Sequence, residues 1–219
     1  MARMLFTKTG DAVWMSHLDL MRLFQRGFKR AGLPLKHTQG FNPRPVVSIA
    51  LPLSVGVESL CELLDFDLDG MDIPCAEIRD RLAPCLVDGV EVLDIYQGGQ
   101  AIKHLTYLDC TVTMEYDAGI DASCVDRLRA LFQSPSLLVE KKGKNGVVQQ
   151  DIIPMIRSLQ VEMPDGNTVV LRSRICCQNP TLNPMQLYHA VCVYLPDLKP
   201  DFAKCCRNEI FDGQENVFR

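Results

Sequence analysis

The chain has 219 residues and a formal net charge of −4, and 47% of its residues are hydrophobic. This composition is ordinary for a globular protein and excludes a disordered or fibrous chain, because it supplies enough apolar surface for a core. No apolar run approaches the roughly 20 residues of a membrane span, and the first residues do not have the pattern of a signal peptide, so we expect a cytoplasmic protein without a membrane partner.

The first half of the chain predicts six elements in the order β-α-β-β-α-β. The clearest is a helix that begins after Ser16, a favourable N-cap with Asp19 three residues on, and ends at Gly32 before Pro34. Its apolar residues recur every three or four positions, which predicts one buried stripe. In chain order we expect a strand over 5–15 that bends at Gly10, this helix over 16–31, strands over 46–51 and 62–68, a helix over 73–86 and a strand over 90–95.

The second half of the chain predicts a similar order of elements. We expect strands over 105–116, 137–140, 152–163, 169–176 and 202–211, and helices over 122–132 and 184–195. A glycine-containing hinge over 97–100 separates the two halves. The fold class that follows is α+β, with two ferredoxin-like β-α-β-β-α-β units in tandem over 1–98 and 101–219.

Ten cysteines raise the question of a metal site or a disulfide framework. No two of them have the two-residue gap of a zinc ribbon or a thioredoxin motif, and no C-x3-C-x2-C run is present to hold an iron–sulfur cluster. Most lie in apolar stretches such as 190–192, where a free thiol behaves as a small buried hydrophobic group. We expect reduced core thiols and no metal site, while a site assembled from distant cysteines stays open.

Positive charge is concentrated at the start of the chain. Residues 1–50 hold eight Lys or Arg against two Asp or Glu, whereas residues 51–100 hold two against eleven. Four cations of the first helix, at positions i, i+4, i+7 and i+8, share one side of it: Arg22, Arg26, Lys29 and Arg30. We interpret them as a surface for a polyanion. The alternatives are a solvated helix face and an acidic protein partner.

A loop rich in proline and glycine follows the first helix and combines cations with planar and amide side chains. Its candidate binding residues are Lys36, Gln39, Phe41, Asn42 and Arg44. A defined loop of this kind loses less entropy when it binds a partner. RNA recognition uses such a mixture, because cations contact phosphates while planar groups stack on unpaired bases. The alternative is a purely structural connection between helix and strand.

Two histidines are the only candidate catalytic residues. The sequence lacks a Walker loop, a G-x-G-x-x-G motif, an H-E-x-x-H motif and a kinase signature, so we expect no catalytic centre of its own and leave enzymatic activity uncertain. His17 follows the N-cap and His37 lies in the loop, and together they form a candidate acid–base pair around a phosphodiester. The simpler interpretation is that His17 makes a hydrogen bond at the capped helix start.

The second half contains two further sets of cations. The segment 141–146 holds Lys141, Lys142 and Lys144 and predicts a mobile basic hairpin or loop, most simply a solvated one. Arg172 and Arg174 alternate on a predicted strand and therefore project from the same sheet face. They are candidates to extend a positive surface.

Two long motifs carry a resemblance to a known family. They are Ser-His-Leu-Asp within 15–22 and Gln-Gly-Phe-Asn-Pro-Arg-Pro at 39–45. With 26–34, 49–53, 56–59 and 152–159, they make nearly the whole chain similar to a family of uncharacterised radical SAM-associated proteins, encoded beside a radical SAM protein or fused to its C-terminus. The adjacent cysteines at 176–177 and 205–206 depart from the residues expected there.

The resemblance implies a partner and does not by itself imply a chemistry. It implies a radical SAM protein that carries an iron–sulfur cluster and S-adenosylmethionine, so that this chain needs no cofactor. Such family members are often found beside ribosome- and RNA-processing genes, which favours RNA as substrate. Our first hypothesis is an accessory substrate-binding protein that presents tRNA or rRNA to the radical SAM enzyme for modification. The alternatives are a metal-independent RNA-processing enzyme that uses His17 and His37, and a pure assembly subunit of the partner.

Overall fold

The computed structural model describes residues 1–143 and 146–219. Within them the protein is mixed α+β, with four α-helices and a mostly antiparallel arrangement of strands. It divides into two compact units, Met1–Ile102 with Arg219 and Lys103–Phe218. The sequence predicts domains over 1–98 and 101–219, so the two divisions differ by a few residues. No helix in the described ranges has the length and apolarity needed to span a membrane.

The first unit contains four strands and two helices. They are β1 (Ala2–Lys8), α1 (His17–Arg30), β2 (Val47–Ile49), β3 (Val57–Phe66), α2 (Cys75–Leu82) and β4 (Val92–Gln97). The strands lie in the order β4-β1-β3-β2, and each neighbouring pair is antiparallel. The register places Met4 of β1 opposite Leu64 of β3 and Ile95 of β4, and all three side chains are buried.

The apolar stripe of α1 packs on this sheet, as its sequence spacing predicts. The Phe24 ring meets Phe6 of β1 edge-on with the centroids 4.8 Å apart, and Phe28 lies 4.8 Å from Phe66 of β3. Gly27 completes the stripe and brings α1 close to the segment after α2, since a Cβ there would lie 3.0 Å from Leu86 Cδ2. The buried stripe therefore fixes which side of α1 faces outward.

Two predicted elements of the first unit are wrong in their extent. The strand predicted over 5–15 ends at Lys8, and Gly10–Trp14 form a 3-10 helix. Gly10 takes a φ of +54°, which turns the chain, and the Met15 N–H then bonds to the Ala12 carbonyl at 3.0 Å. The helix predicted over 73–86 ends at Leu82, because Pro84 lacks an N–H and cannot continue an α-helix.

The second unit contains six strands and two helices. They are β5 (Leu105–Glu115), α3 (Cys124–Phe132), β6 (Leu138–Gly143), β7 (Gly146–Asp151), β8 (Ile156–Asp165), β9 (Thr168–Cys176), α4 (Met185–Tyr194) and β10 (Phe202–Asp212). Four strands lie in the order β10-β5-β9-β8, with antiparallel neighbours. Strands β6 and β7 pair separately as a two-stranded hairpin. The strand predicted over 152–163 is wrong at its start, because Ile153–Met155 form a 3-10 turn with Pro154 inside it.

The two units thus share an order of elements and of strands. With the β6–β7 hairpin set aside, both contain β-α-β-β-α-β, and in both the fourth strand lies beside the first, the first beside the third and the third beside the second. Helices α1 and α3 therefore occupy the same place in the chain order of their units.

Candidate nucleic-acid interface

The start of α1 is fixed by a local capping arrangement. The Ser16 hydroxyl accepts the Asp19 backbone N–H at 3.3 Å and donates to the Asp19 carboxylate at 2.6 Å. The hydrogen bond from the Ser16 hydroxyl holds the pKa of Asp19 below its ordinary value, and nearby Arg22 contributes in the same direction. The predicted N-cap is confirmed, and the acidic side chain of α1 is engaged at its first turn.

The cations of α1 are exposed along its outer face. Arg22 lies 3.4 Å from Asp19. Arg26, Lys29 and Arg30 are exposed, and in the described part of the chain their side chains have no ion-pair or hydrogen-bond partner. The helix dipole favours cations at this C-terminal end, so the fold tolerates the charges without neutralising them. We call Arg22, Arg26, Lys29 and Arg30 the basic face.

The loop after α1 is closed at its base by backbone hydrogen bonds. Val46 N–H bonds to the Lys36 carbonyl at 2.7 Å, and Thr38 N–H bonds to the Arg44 carbonyl at 2.8 Å. Between them, His37 and Pro45 form an isolated antiparallel bridge. We call residues 36–46 the closed loop. Its defined conformation agrees with the prediction from its prolines and glycine.

The base of the closed loop is also attached to the segment after β3. The Lys36 N–H bonds to the Asp67 carbonyl at 2.8 Å, and the Lys36 ammonium lies 3.3 Å from the Asp67 carboxylate. The Lys36 charge is therefore partly neutralised, whereas Arg44 is exposed and its side chain has no partner among the residues described. Of the two predicted loop cations, Arg44 is the more available for an external anion.

The tip of the closed loop presents an aromatic ring to solvent. Phe41 is fully exposed, and Gln39 and Asn42 beside it are exposed as well. Gly40 takes a φ of +131°, a conformation that L side chains rarely adopt. An exposed phenylalanine does not contribute the stabilisation that burial of its ring would give. On a loop held by backbone hydrogen bonds, it offers a flat surface on which a nucleic-acid base can stack.

A pocket of about 540 Å3 lies between the end of α1 and the closed loop. It brings together Lys29 and His37, which the sequence nominated on separate elements. Gln25 also lines it and was missed by the sequence reasoning, although it stands four residues before Lys29 on the same helix face. The full lining is Gln25, Phe28, Lys29, Gly32, Leu33, Pro34, Leu35, His37 and Pro45.

The wall of this pocket is held by a contact from α2. The Arg81 guanidinium donates to the Ala31 carbonyl at 2.9 Å and to the Gly32 carbonyl at 2.9 Å. These bonds satisfy carbonyls that the end of a helix leaves without partners. Because Gly32 lines the pocket, Arg81 fixes the pocket wall from within the same unit.

The two candidate catalytic histidines lie at opposite ends of α1. His17 is its first residue, and its Nδ1 is buried without a hydrogen-bond partner among the described residues. His37 shares a pocket with Gln25 and Lys29, which lie eight and twelve residues beyond His17, or roughly 12–18 Å along the helix axis. The structure therefore does not bring the pair together, and the acid–base hypothesis stays a prediction without geometric support.

Three of the five cations proposed in the second unit, Lys141, Arg172 and Arg174, are engaged within it. Arg172 lies 3.0 Å from Glu162, and Arg174 lies 2.7 Å from Asp109 and 3.8 Å from the centre of the Phe211 ring. Lys141 lies in strand β6 and donates to the Thr181 carbonyl, whereas Lys144 lies outside the described residues. These contacts give Arg172 and Arg174 structural roles in place of the predicted positive surface.

The structure adds exposed apolar side chains that the sequence reasoning did not nominate. Trp14 precedes α1 and is 68% exposed, and Leu18 is 63% exposed. The Trp14 ring lies over Gly56, where an added Cβ would approach it to 3.5 Å. Leu18 stands four residues before Arg22 on the same face of the helix. The presence of an apolar residue on this otherwise basic face was the feature of the sequence that could have identified it.

No group of three or more His, Cys, Asp or Glu suited to a metal ion occurs in 1–143 or 146–219.

Comparison with known proteins assigns a family to the chain. The model of the family described as uncharacterised proteins conserved in bacteria (DUF2344) matches residues 2–184, and the chain belongs to that family. No curated protein matches the chain.

Two solved structures resemble the chain at low identity. One is a chain from the crystal structure of a Cbf5-Nop10-Gar1 complex, with a TM-score of 0.50 and 9% identity over 95% of this chain and 48% of the other. This protein thus spans about half the length of that relative. The other is an unknown protein from Galdieria sulphuraria, with a TM-score of 0.26 and 10% identity over 93% of this chain and 94% of that one. The first likeness supports the mixed α+β fold and the second carries no argument.

Proposed function

We propose that this member of the DUF2344 family binds RNA through the basic face and the closed loop. The observation that carries the proposal is the combination of exposed cations without acidic partners in the described residues, on Arg26, Lys29 and Arg30, with the exposed Phe41 ring in the same unit. Cations supply the affinity for a phosphate backbone. An aromatic ring discriminates in favour of unpaired bases, because only their faces are free to stack.

The proposed role is to present RNA to a radical SAM partner. The support is the sequence resemblance through Ser-His-Leu-Asp at 16–19 and Gln-Gly-Phe-Asn-Pro-Arg-Pro at 39–45. These motifs build the start of α1 and the closed loop, which are the elements that form the proposed interface. In this proposal the partner carries the iron–sulfur cluster and S-adenosylmethionine, and this chain holds tRNA or rRNA in position for the partner.

The proposed fold assignment is two ferredoxin-like units in tandem. Its support is that each unit contains the order β-α-β-β-α-β and the same antiparallel strand order, apart from the inserted β6–β7 hairpin. In the first unit this order leaves the outer face of α1 and the closed loop exposed, as the RNA-binding proposal requires.

A second candidate function is assembly with the partner protein. The exposed Trp14 side chain favours it, because tryptophan is enriched among the residues that dominate binding in protein interfaces. The exposed Leu18 adds apolar surface beside the same end of α1. In this arrangement the start of α1 contacts protein, and RNA contacts only the later turns of α1 and the closed loop.

The test is an anisotropy titration of the full-length protein with labelled tRNA and rRNA fragments at two salt concentrations. We expect micromolar or tighter binding that weakens steeply with salt. The variant Arg26→Glu/Arg30→Glu should lose roughly tenfold or more in affinity, since two phosphate contacts become repulsive. The matched control is Arg127→Glu/Arg129→Glu on α3, which changes the net charge by the same amount.

The control separates a local site from a general charge effect. Wild-type affinity in the α3 variant, with loss in the α1 variant, supports the basic face as the site. Equal losses in both variants would mean that only net charge matters, and an α1 variant that binds as the wild type would refute the assignment. Unchanged circular dichroism of both variants excludes unfolding as the cause.

A further inference from the structure

The pocket between α1 and the closed loop has the size of a small-ligand site. Its volume of about 540 Å3 lies within the roughly 300–1,000 Å3 of pockets that hold small molecules or cofactors. Phe28 and Leu33 are buried and form apolar parts of its lining. Pro34 and Pro45 add rigid apolar surface, so the cavity is bounded by groups that change conformation little on binding.

Three polar side chains line the same pocket. Gln25 has an amide that both donates and accepts hydrogen bonds, Lys29 carries a positive charge, and His37 has a planar ring with a donor and an acceptor when neutral. None of the three side chains has a hydrogen-bond or ion-pair partner within residues 1–143 and 146–219. An apolar cavity with a few polar groups available suits a planar, heteroatom-rich ligand.

The charges near the pocket favour a ligand attached to phosphates. Arg26 and Arg30 flank Lys29 on α1 and are exposed. The backbone of Arg44 accepts a hydrogen bond from the Thr38 N–H at the base of the closed loop, next to His37. A free neutral ligand would gain nothing from these cations. A nucleotide within a strand gains from them, because its neighbouring phosphates carry one negative charge each.

We propose that this pocket receives one unstacked base of a single-stranded RNA, an inference that rests on the proposed function. Pro34 and Pro45, which are accessible at the pocket surface, contact the face of the base. Gln25 and His37 bond to its polar edge, and Lys29 contacts the adjoining phosphate. A base enters such a pocket only when it is free of a duplex. Phe41, four residues from His37 in the closed loop, stacks on a neighbouring base. The protein consequently recognises loops, bulges and ends of RNA, and duplexes only through their phosphates.

The test compares two RNA strands that share one backbone. A labelled single-stranded 12-mer is titrated against the full-length protein, beside a strand of the same length in which every ribose is abasic. We expect the intact strand to bind about tenfold more tightly, since each stacked base adds to affinity while the phosphates are unchanged. The variant Gln25→Trp, which fills the pocket from α1, should lower the affinity for the intact strand and leave that for the abasic strand unchanged.

A matched control and a second variant keep the result independent of folding. Gln133→Trp makes the same substitution at the exposed C-cap of α3 and should bind both strands as the wild type does. Pro34→Trp fills the pocket from the segment after α1 and should repeat the effect of Gln25→Trp. Phe41→Ala measures the share of the preference that comes from the ring at the loop tip.

The outcomes distinguish the pocket from the interface around it. If neither strand binds, the proposed RNA-binding function fails and the base pocket fails with it. If both strands bind equally, RNA binding stands and the pocket inference is wrong. A preference for the intact strand that disappears in Phe41→Ala but persists in both tryptophan variants would place the base on the loop tip and overturn the pocket.

Discussion

The first helices of the two units, α1 and α3, differ in how many of their cations have acidic partners. On α3 both arginines are paired: Arg127 lies 2.9 Å from Asp197 Oδ1, and Arg129 lies 3.3 Å from Asp126. On α1 the charges of Arg26, Lys29 and Arg30 have no acidic partner in the described residues. The two helices occupy equivalent places in their units, so the difference comes from the residues and not from the topology.

This difference separates cations that serve the fold from cations that are available to a ligand. A paired arginine on the surface contributes roughly 0–1 kcal/mol to stability and offers little charge to an external anion. An unpaired arginine contributes little to the fold and keeps its full attraction for phosphate. The extreme of the first kind is Arg3, which is 4% exposed and bonded to Asp65.

The largest expected effect comes from breaking that buried pair by removing only its cation. In Arg3→Met the Asp65 carboxylate loses two hydrogen bonds, of 2.6 Å and 3.0 Å, and stays largely buried without a cation. We expect the free energy of unfolding to fall by about 3–5 kcal/mol, measured by urea denaturation. The matching change on the basic face, Arg26→Met, should alter it by less than about 0.5 kcal/mol.

A double variant provides the control for this prediction. Arg3→Met/Asp65→Leu leaves no uncompensated charge, so it should recover a large part of the lost stability. If Arg3→Met and Arg26→Met destabilise the protein equally, the distinction between paired and unpaired cations does not hold for stability.

The sequence predicts α1 well because the information is local. Ser16 and Asp19 form the cap within four residues, and the buried stripe that includes Phe24 and Phe28 follows the helical period. The same period separates the outer cations from the core. A basic face on this helix therefore follows from 14 consecutive residues, without any knowledge of the rest of the chain.

Part of the contrast with α3 is not predictable from the sequence. Arg129 pairs with Asp126 three residues before it, a spacing that the sequence shows, but the partner of Arg127 is distant along the chain. Asp197 pairs with Arg127 from 70 positions away, and Arg174 is neutralised by Asp109, 65 positions away. Single-sequence periodicity contains no information on such contacts. The pocket beside α1 is missed for the same reason, since its walls depend on Arg81 bonding to the end of a helix about 50 positions earlier.

The β6–β7 hairpin shows a second limit of the sequence reasoning. Composition predicts a basic hairpin or loop over 141–146 and a strand only over 137–140, whereas the structure extends the ladder from Leu138 opposite Asp151 to Gly143 opposite Gly146. The first four residues of β7, at 146–149, are exposed, so this strand carries little alternation between buried and exposed residues. Cross-strand backbone bonds determine this element and leave little trace in the side-chain pattern.

An intermediate effect is expected on the salt dependence of RNA binding. In Arg26→Ala/Arg30→Ala two phosphate contacts are lost without new repulsion. The slope of log K against log salt concentration should then decrease in magnitude by about 1.4, since each phosphate contact on a single strand contributes roughly 0.7. The measurement is a series of titrations with a single-stranded RNA at salt concentrations from about 50 to about 200 mM.

The α3 counterpart sharpens this second prediction. Arg127→Ala/Arg129→Ala removes the same number of cations, but their charges are already paired with Asp197 and Asp126. We expect the slope of that variant to equal that of the wild type. Parallel decreases in the two variants would contradict the view that pairing within the fold withdraws a cation from binding.

The smallest expected effect concerns the caps of the two helices. Ser16 caps α1 through its side chain, whereas Ser123, the N-cap of α3, makes no such hydrogen bond. Replacing a capping serine by alanine costs about 1 kcal/mol, so Ser16→Ala should destabilise the protein by roughly that amount at pH 7 while Ser123→Ala changes little. Urea denaturation of both variants beside the wild type measures the difference.

The pH dependence of the α1 cap has a definite sign. The hydrogen bond from the Ser16 hydroxyl lowers the pKa of Asp19 below its ordinary 3.8 in the folded protein, so the folded state favours the charged carboxylate. This stabilisation is present above the ordinary pKa and is lost as the pH falls through the lowered folded value. In Ser16→Ala the pKa of Asp19, followed by carboxyl NMR titration, should rise toward 3.8. The stability gap between the wild type and Ser16→Ala should accordingly narrow below about pH 4. A gap that stays constant to lower pH would show that the cap acts only through the backbone N–H of Asp19, whose hydrogen bond to Ser16 does not titrate.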